Sequence, residues 1–131
     1  MIQYRTDLTS ITPSQLSGFF EGWPRPPSPE KHLEVLRGST HCVLAYDAQS
    51  DVVVGFVTAL SDGVQNAYIP LLEVLPGHRG QGIGRELVRR VLQPVGDLYS
   101  VGLHCDADLE AFYAPFGLRP LGGMVLRNHS S

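Results

Sequence analysis

The chain has 131 residues, 43% of them hydrophobic and 18% charged, enough apolar material for one core and a length that holds one domain over residues 1–131. Its 10 Lys+Arg against 13 Asp+Glu leave a net charge of -3, which argues against nucleic acid as a partner, because a general binder needs a basic surplus to displace counterions. Cys42 and Cys105 are too few for a disulfide framework. Met1 to Arg5 lack the layout of a secretory signal. The longest mostly apolar stretch, Val52 to Leu60, falls short of the roughly 18–20 residues that span a bilayer. The expectation is a soluble, cytoplasmic protein with no membrane partner. Asn128-His129-Ser130 matches a glycosylation acceptor and, without a secretory signal, is read as chance.

In chain order, Ile2 to Arg5 reads as a short strand and Thr12 to Phe20 as a helix, with Thr12 as cap and Pro13 in the first turn. Glu21 to Pro29 holds four prolines and Trp23, and is an extended loop. A second helix follows, punctuated by Ser28 as cap, Pro29 first, Glu30 in the first turn and Gly38 as stop. His41 to Tyr46 and Val52 to Leu60 form an antiparallel hairpin. Ala67 to Leu75, nearly continuously apolar, reads as a central strand buried on both faces. Ile83, Leu87, Val88, Val91 and Leu92 then make one stripe at helical spacing, ended by Pro94 and Gly96. Leu98 to Cys105 is a strand, Leu109 to Ala114 a short helix capped by Asp106 or Asp108, and Leu121 to Arg127 a last strand. This order makes an α/β (α+β) domain, a mixed sheet with helices on its faces.

The informative stretch runs from Leu72 to Arg85, out of the apolar strand, through Gly77, Gly80, Gly82 and Gly84, and into the amphipathic helix. Glycines let a backbone approach a phosphate, and the unpaired N–H groups of a helix's first turn point at it. Arg79 and Arg85 add charge. A nucleotide-triphosphate loop would need Lys-Ser/Thr after Gly82, where Ile83-Gly84 stand. A dinucleotide fingerprint would need glycine where Leu87 stands. What fits is Arg/Gln-x-x-Gly-x-Gly/Ala, as Arg79, Gly82 and Gly84.

That loop resembles the pyrophosphate loop of the GCN5-related N-acetyltransferase (GNAT) superfamily. The segment Leu109 to Leu118, with Tyr113 and a closing Phe116-Gly117, is similar to the family's late tyrosine-bearing helix. The likeness covers essentially the whole chain. It implies a GNAT-like, largely antiparallel mixed sheet flanked by about four helices. It further implies that acetyl-coenzyme A (acetyl-CoA) gives its acetyl group directly to an attacking primary amine. Main-chain N–H groups of Arg79, Gly80, Gln81, Gly82, Ile83, Gly84 and Arg85 would hold the pyrophosphate. The backbone of Leu72 to Val74 would pair with the pantetheine amides as an added strand does. An N–H near Val74 would face the thioester oxygen as negative charge develops.

Tyr113 is the candidate general acid, since a phenol of pKa about 10 can protonate a departing thiolate near 8.5; the alternative is a tyrosine that only packs. Pro115, Leu118 and Asp106 depart from the family's usual residues, and Pro115 is expected to end the helix beside Tyr113. The base that keeps the amine neutral is open. Glu73 lies on the cofactor strand, although alternation puts it opposite Leu72 and Val74, where it would pair with an arginine or reach the edge. Tyr68, sharing a face with Val74 and acting through water, is its rival. His41-Cys42 and His104-Cys105 are adjacent pairs that point to opposite faces and cannot chelate together, so no metal is expected. His78 reads as a solvated turn residue.

The acceptor, a small-molecule or peptide amine, would be walled by Phe19 to Leu33. There Phe20 and Trp23 would stack on it and Glu21 or Glu30 attract a cation, unless Trp23 merely covers the core. The spacing Pro24-x-x-Pro27 is better explained by a structured loop than by a docking peptide. A homodimer is a further possibility by analogy with similar proteins. The reading from a different class is a non-catalytic, acetyl-CoA-binding module acting as a sensor or partner domain.

Overall fold

In the computed structural model, which describes residues 1–128, five strands form one sheet in sequence order: β1 (Ile2–Arg5), β2 (His41–Asp47), β3 (Val52–Ser61), β4 (Asn66–Val74) and β5 (Ser100–Leu103). The first three pairings are antiparallel and β4–β5 is parallel. Helix α1 (Pro29–Gly38) and the buried loop before it cover one face. There Leu33 and Leu36 pack with Leu16, Phe19, Phe20, Leu44 and Phe56. Helix α2 (Ile83–Leu92) covers the other, its Ile83, Leu87 and Val91 meeting Val43, Val57 and Ile69. A one-turn α3 (Glu110–Tyr113) completes the regular elements between 3-10 turns at Ala107–Leu109 and Ala114–Phe116. No helix among the described residues is long and apolar enough to cross a membrane. The Asn128-His129-Ser130 triplet lies partly outside the described residues.

The N-terminal punctuation of α1 acts as read, while Gly38 is its last helical residue and extended Ser39 the C-cap. The Ser28 side chain accepts from the Lys31 N–H with Pro29 in the first turn, and α2 spans the apolar stripe. Thr12 to Phe20 is not a helix. Thr12 caps only the 3-10 turn Pro13–Gln15. Gly18 (φ 94) and Phe20 (φ 64) then adopt left-handed backbone that a helix cannot continue. Pro115 does end α3, inside a 3-10 turn that stops at Gly117 (φ 92).

Strand β4 is not buried on both faces. Tyr68 is exposed and Leu71 to Val74 are half-buried, because β5 pairs only with Asn66 to Ile69. Opposite β3, Thr58 pairs with Leu71 but Leu60 with Tyr68, so β4 carries one extra residue at Ile69-Pro70. Proline has no N–H to give the ladder, and a bulge absorbs it. Ile69, Leu72 and Val74 therefore all face α2, while Leu71 joins the opposite cluster. Tyr68 shares its face with Glu73 and not with Val74, correcting the alternation expected from sequence. The expected last strand, Leu121 to Arg127, is also absent. That segment has no strand partner and is exposed throughout, for β5 faces it across a cleft without pairing.

His32 on α1 is 1% exposed. It sits among Phe19, Phe20 and Phe56 with ring centroids 5.3, 4.8 and 4.3 Å away, and neither ring nitrogen has a hydrogen-bond partner. Burial depresses its pKa from 6.5 to about 4. Between those values the unfolded chain binds a proton that the folded chain refuses, so stability present above pH 6.5 is lost as pH falls through the window. Denaturant unfolding should show the parent on the order of 2 kcal/mol less stable at pH 5 than at pH 7 from this residue alone. His32→Leu should lack that increment; an equal loss in both proteins would remove His32 as its source.

Candidate functional site

After β4 the chain makes a 3-10 turn, Pro76–His78, and enters α2 through Arg79 to Gly82. Gly80 (φ 79) and Gly82 (φ 83) hold left-handed backbone, which glycine adopts without steric cost. A Cβ added at Gly77, Gly80 or Gly82 would meet nothing within 4 Å, so the backbone here is bare and open. Gly82 caps α2 with no side-chain hydrogen bond, leaving the first-turn N–H groups to a ligand. The first intrahelical bond is Glu86 N–H to Gly82 O.

Glu86 would oppose an anion at this end of the helix, but it is turned away. Its carboxylate accepts from Arg89, and from Arg90 at 2.6 Å, and these guanidiniums hold its pKa near 2, well below the carboxylate range. Arg79 and Arg85 remain exposed at the loop. His78, half-buried, lies 3.8 Å from the Asp47 carboxylate, so it touches the end of β2 and is not simply a solvated turn residue.

The helix end lies against the sheet because Gly55 on β3 has no side chain. A Cβ there would stand 3.2 Å from Leu87 and 3.3 Å from both Ile83 and the Glu73 carbonyl. Gly84 serves α3 in the same way: its Cβ position is 3.5 Å from the Phe112 ring and 3.8 Å from Val74. Loop, β4 and α3 thus converge. Past Ile69, β4 has no partner on its β5 side, and the edge of Leu72 and Val74 is open to an extended ligand. At its end the Arg79 Nε–H donates to the Val74 carbonyl at 2.9 Å.

A cleft of about 1100 Å³ runs along β5, lined among others by Tyr68, His104, Cys105, Glu110 and Tyr113. Tyr113 is 8% exposed. Burial, and then the neighbouring Cys105, push its pKa above the ordinary phenol value of 10.0, so it keeps its proton at neutral pH. Tyr68 Oη lies 3.0 Å from His104 Nδ1, with ring centroids 5.4 Å apart. In sequence His104 stands beside Cys105 and 36 residues from Tyr68, so the pair is not a local feature. The signal was the parallel register: Tyr68 stands opposite Gly102, so His104, two residues on, shares its face.

Glu73 is engaged elsewhere. The Phe20 N–H donates to its carboxylate oxygens at 3.1 and 3.3 Å, fixing the left-handed turn at Phe20 against β4. Phe20 itself is 2% exposed and cannot stack on an acceptor, whereas Trp23, 5.0 Å from it, is half-exposed. Glu21 and Glu30 are both exposed. Among the described residues no group of three His, Cys, Asp or Glu could hold a metal ion.

Known proteins share this arrangement of elements. Residues 8–118 match the family model described as acetyltransferase (GNAT) family. A crystal structure from Deinococcus radiodurans, whose own acetyltransferase assignment is unproven, is 51% identical with a TM-score of 0.93, covering 98% of this chain and 89% of that one. A GNAT family acetyltransferase of Streptococcus pneumoniae has the fold at 24% identity and a TM-score of 0.77, over 98% of both chains. NAA60 of Arabidopsis thaliana, in complex with a bisubstrate analogue, is 23% identical with a TM-score of 0.69, over 93% of this chain and 86% of that one. No curated protein matches the chain.

The bare loop should bind a phosphorylated ligand. By calorimetry with inorganic pyrophosphate, exposed Arg85→Glu should weaken affinity roughly tenfold with no change in melting temperature. Unchanged affinity would remove α2's first turn as the binding element.

Proposed function

The chain belongs to the acetyltransferase (GNAT) family, and on that premise we propose that it is an N-acetyltransferase moving acetyl from acetyl-CoA directly to a primary amine. The observation that carries the reading is the open β4 edge past Ile69, which runs into the bare glycine loop at one end, while Tyr68 at its other end lines the cleft with His104 and Tyr113. The residues fit acetyl-CoA. Left-handed Gly80 and Gly82 leave backbone that no Cβ obstructs, the first-turn N–H groups of α2 suit a pyrophosphate, and the edge at Leu72 and Val74 suits an amide-bearing arm.

When bound, acetyl-CoA supplies an activated acyl carbon and a sulfur leaving group. An N–H by Val74 stabilises the negative charge that develops on the acyl oxygen. Tyr113, kept protonated by burial, gives its proton to the departing sulfur. On the amine side, Tyr68 takes the proton of the attacking nitrogen and passes its own to His104 Nδ1 along their 3.0 Å hydrogen bond, imidazole being the side chain suited to moving protons near neutrality. Glu73, already accepting from Phe20, acts as a positioning residue for the acceptor-side loop. The acceptor is a small-molecule or peptide amine.

Tyr113→Phe should lower kcat about a hundredfold and leave the Kd for acetyl-CoA unchanged. Tyr68→Phe and His104→Ala should each lower kcat by about the same factor, and the double variant by little more than either alone, as members of one relay behave. Glu73→Gln should mainly raise the acceptor KM; a loss of kcat confined to Glu73→Gln would transfer the base role to it. Thiol release across an amine panel reads the turnover of all five variants. Acetyl-CoA binding without thiol release from any amine would favour the binding module, and no binding by the folded parent would overturn both readings.

A further inference from the structure

At the end of the sheet away from the glycine loop, β1 stops short of its neighbour. Its last residue, Arg5, stands opposite Leu44, so His41 to Val43 have β3 on one side and no strand on the other. Helices α1 and α2, on opposite faces of the sheet, both run out at this notch. Between their ends lies a cavity of about 360 Å³. It shares no lining residue with the 1100 Å³ cleft, and the length of α2, about 15 Å, separates it from the glycine loop. Its floor is apolar: Leu36, Val43 and Val91 line it and are 1%, 3% and 0% exposed. Its rim is cationic, formed by Arg37 and Arg90 with no Asp or Glu among the lining residues, although acidic residues outnumber basic ones in the chain. Arg90 gives its Nε–H to Glu86 at 2.6 Å and lies over the Tyr4 ring. Among the described residues nothing accepts from its two Nη groups or from Arg37. Each helix end contributes about half a negative charge, less than the full positive charge of each guanidinium.

We propose that this cavity is a second, regulatory site that takes a small carboxylate with an apolar tail. The carboxylate pairs with Arg37 and with the Nη groups of Arg90, whose planar forks match its two oxygens. The tail lies on the floor of Leu36, Val43 and Val91, an apolar pocket with few polar groups at its mouth. Arg90 couples this site to the glycine loop. It is one of the two guanidiniums that neutralise Glu86 in the first turn of α2, and a bound carboxylate draws on the same charge. Glu86 then opposes an anion at the loop more strongly, so the carboxylate weakens pyrophosphate binding and, by linkage, pyrophosphate weakens the carboxylate. The coupling rests on the loop as an anion site; the cavity does not, and neither depends on acetyl transfer.

Calorimetry on the full chain with hexanoate should give saturable binding. Acetate and 1-hexanol, which each lack one half of the match, should bind at least about tenfold more weakly. In amide NMR spectra hexanoate should shift His41 to Val43 most. Arg37→Glu should weaken hexanoate by roughly tenfold or more and leave pyrophosphate affinity, measured without hexanoate, unchanged. Thr6→Trp, at an exposed residue of the mouth, should do the same by bulk if the first variant fails to fold. Saturating hexanoate should raise the pyrophosphate Kd by about two- to fivefold and then no further. No saturable hexanoate binding by the folded parent up to about 10 mM would overturn the proposal, as would binding that persists in both variants. A pyrophosphate Kd that climbs without limit would mark competition for one site and overturn it too. A Kd indifferent to hexanoate, or a parent that binds hexanoate and no pyrophosphate, would overturn the regulatory role.

Discussion

Pro70 has no amide hydrogen, and it stands in the middle of the strand on which every candidate group depends. The extra residue that β4 carries there reverses the side-chain phase. Without that reversal Glu73 would lie on the face opposite Tyr68, and Leu72 and Val74 would turn away from α2. With it, the aliphatic residues stay under the helix, while Tyr68 and Glu73 face the side covered by Phe20. The pairing with β5 ends at Ile69, one residue before the proline. A single imino acid therefore sits where the sheet changes from closed to open, and where apolar packing gives way to polar chemistry.

Two glycines place α2 and α3 against this opening. Gly55 lets the start of α2 approach the sheet, and Gly84 lets Phe112 lie on that same helix turn. The helix end, the strand edge and Tyr113 are consequently held by a continuous packed core and not by loops alone. Electrostatics follow the same geometry. Glu86 is the acidic residue in α2's first turn, and Arg89 and Arg90 neutralise it in place, so the positive end of the helix dipole is not cancelled where it is exposed.

Local signals in the sequence are legible where they are self-contained. The α1 cap, the α2 stripe, the hairpin and the glycine loop each state their structure within about ten residues. What needed the fold was anything set by a distant partner. Thr12 to Phe20 has a cap and apolar residues, yet Gly18 and the Glu73 carboxylate waiting for the Phe20 N–H turn it into a loop. The β4 bulge is signalled by a proline inside an apolar strand, and strict alternation carried across it puts Tyr68 on the wrong face. His104 adjoins Cys105 in sequence, while its hydrogen-bond partner Tyr68 comes from the adjoining strand. The Leu121 to Arg127 pattern expresses a tendency to pair, and such a pattern names no partner.

The contact between Arg79 and the Val74 carbonyl bears on solubility. An open strand edge inside a split sheet is a template on which any other extended chain can nucleate, and natural sheets blunt such edges with charge. Here a guanidinium occupies the final acceptor of the edge and sets a positive charge beside it, so a foreign strand must displace a charge-assisted bond and desolvate the cation before it can align. The residue that opens the glycine loop also guards the edge beside it against misassembly.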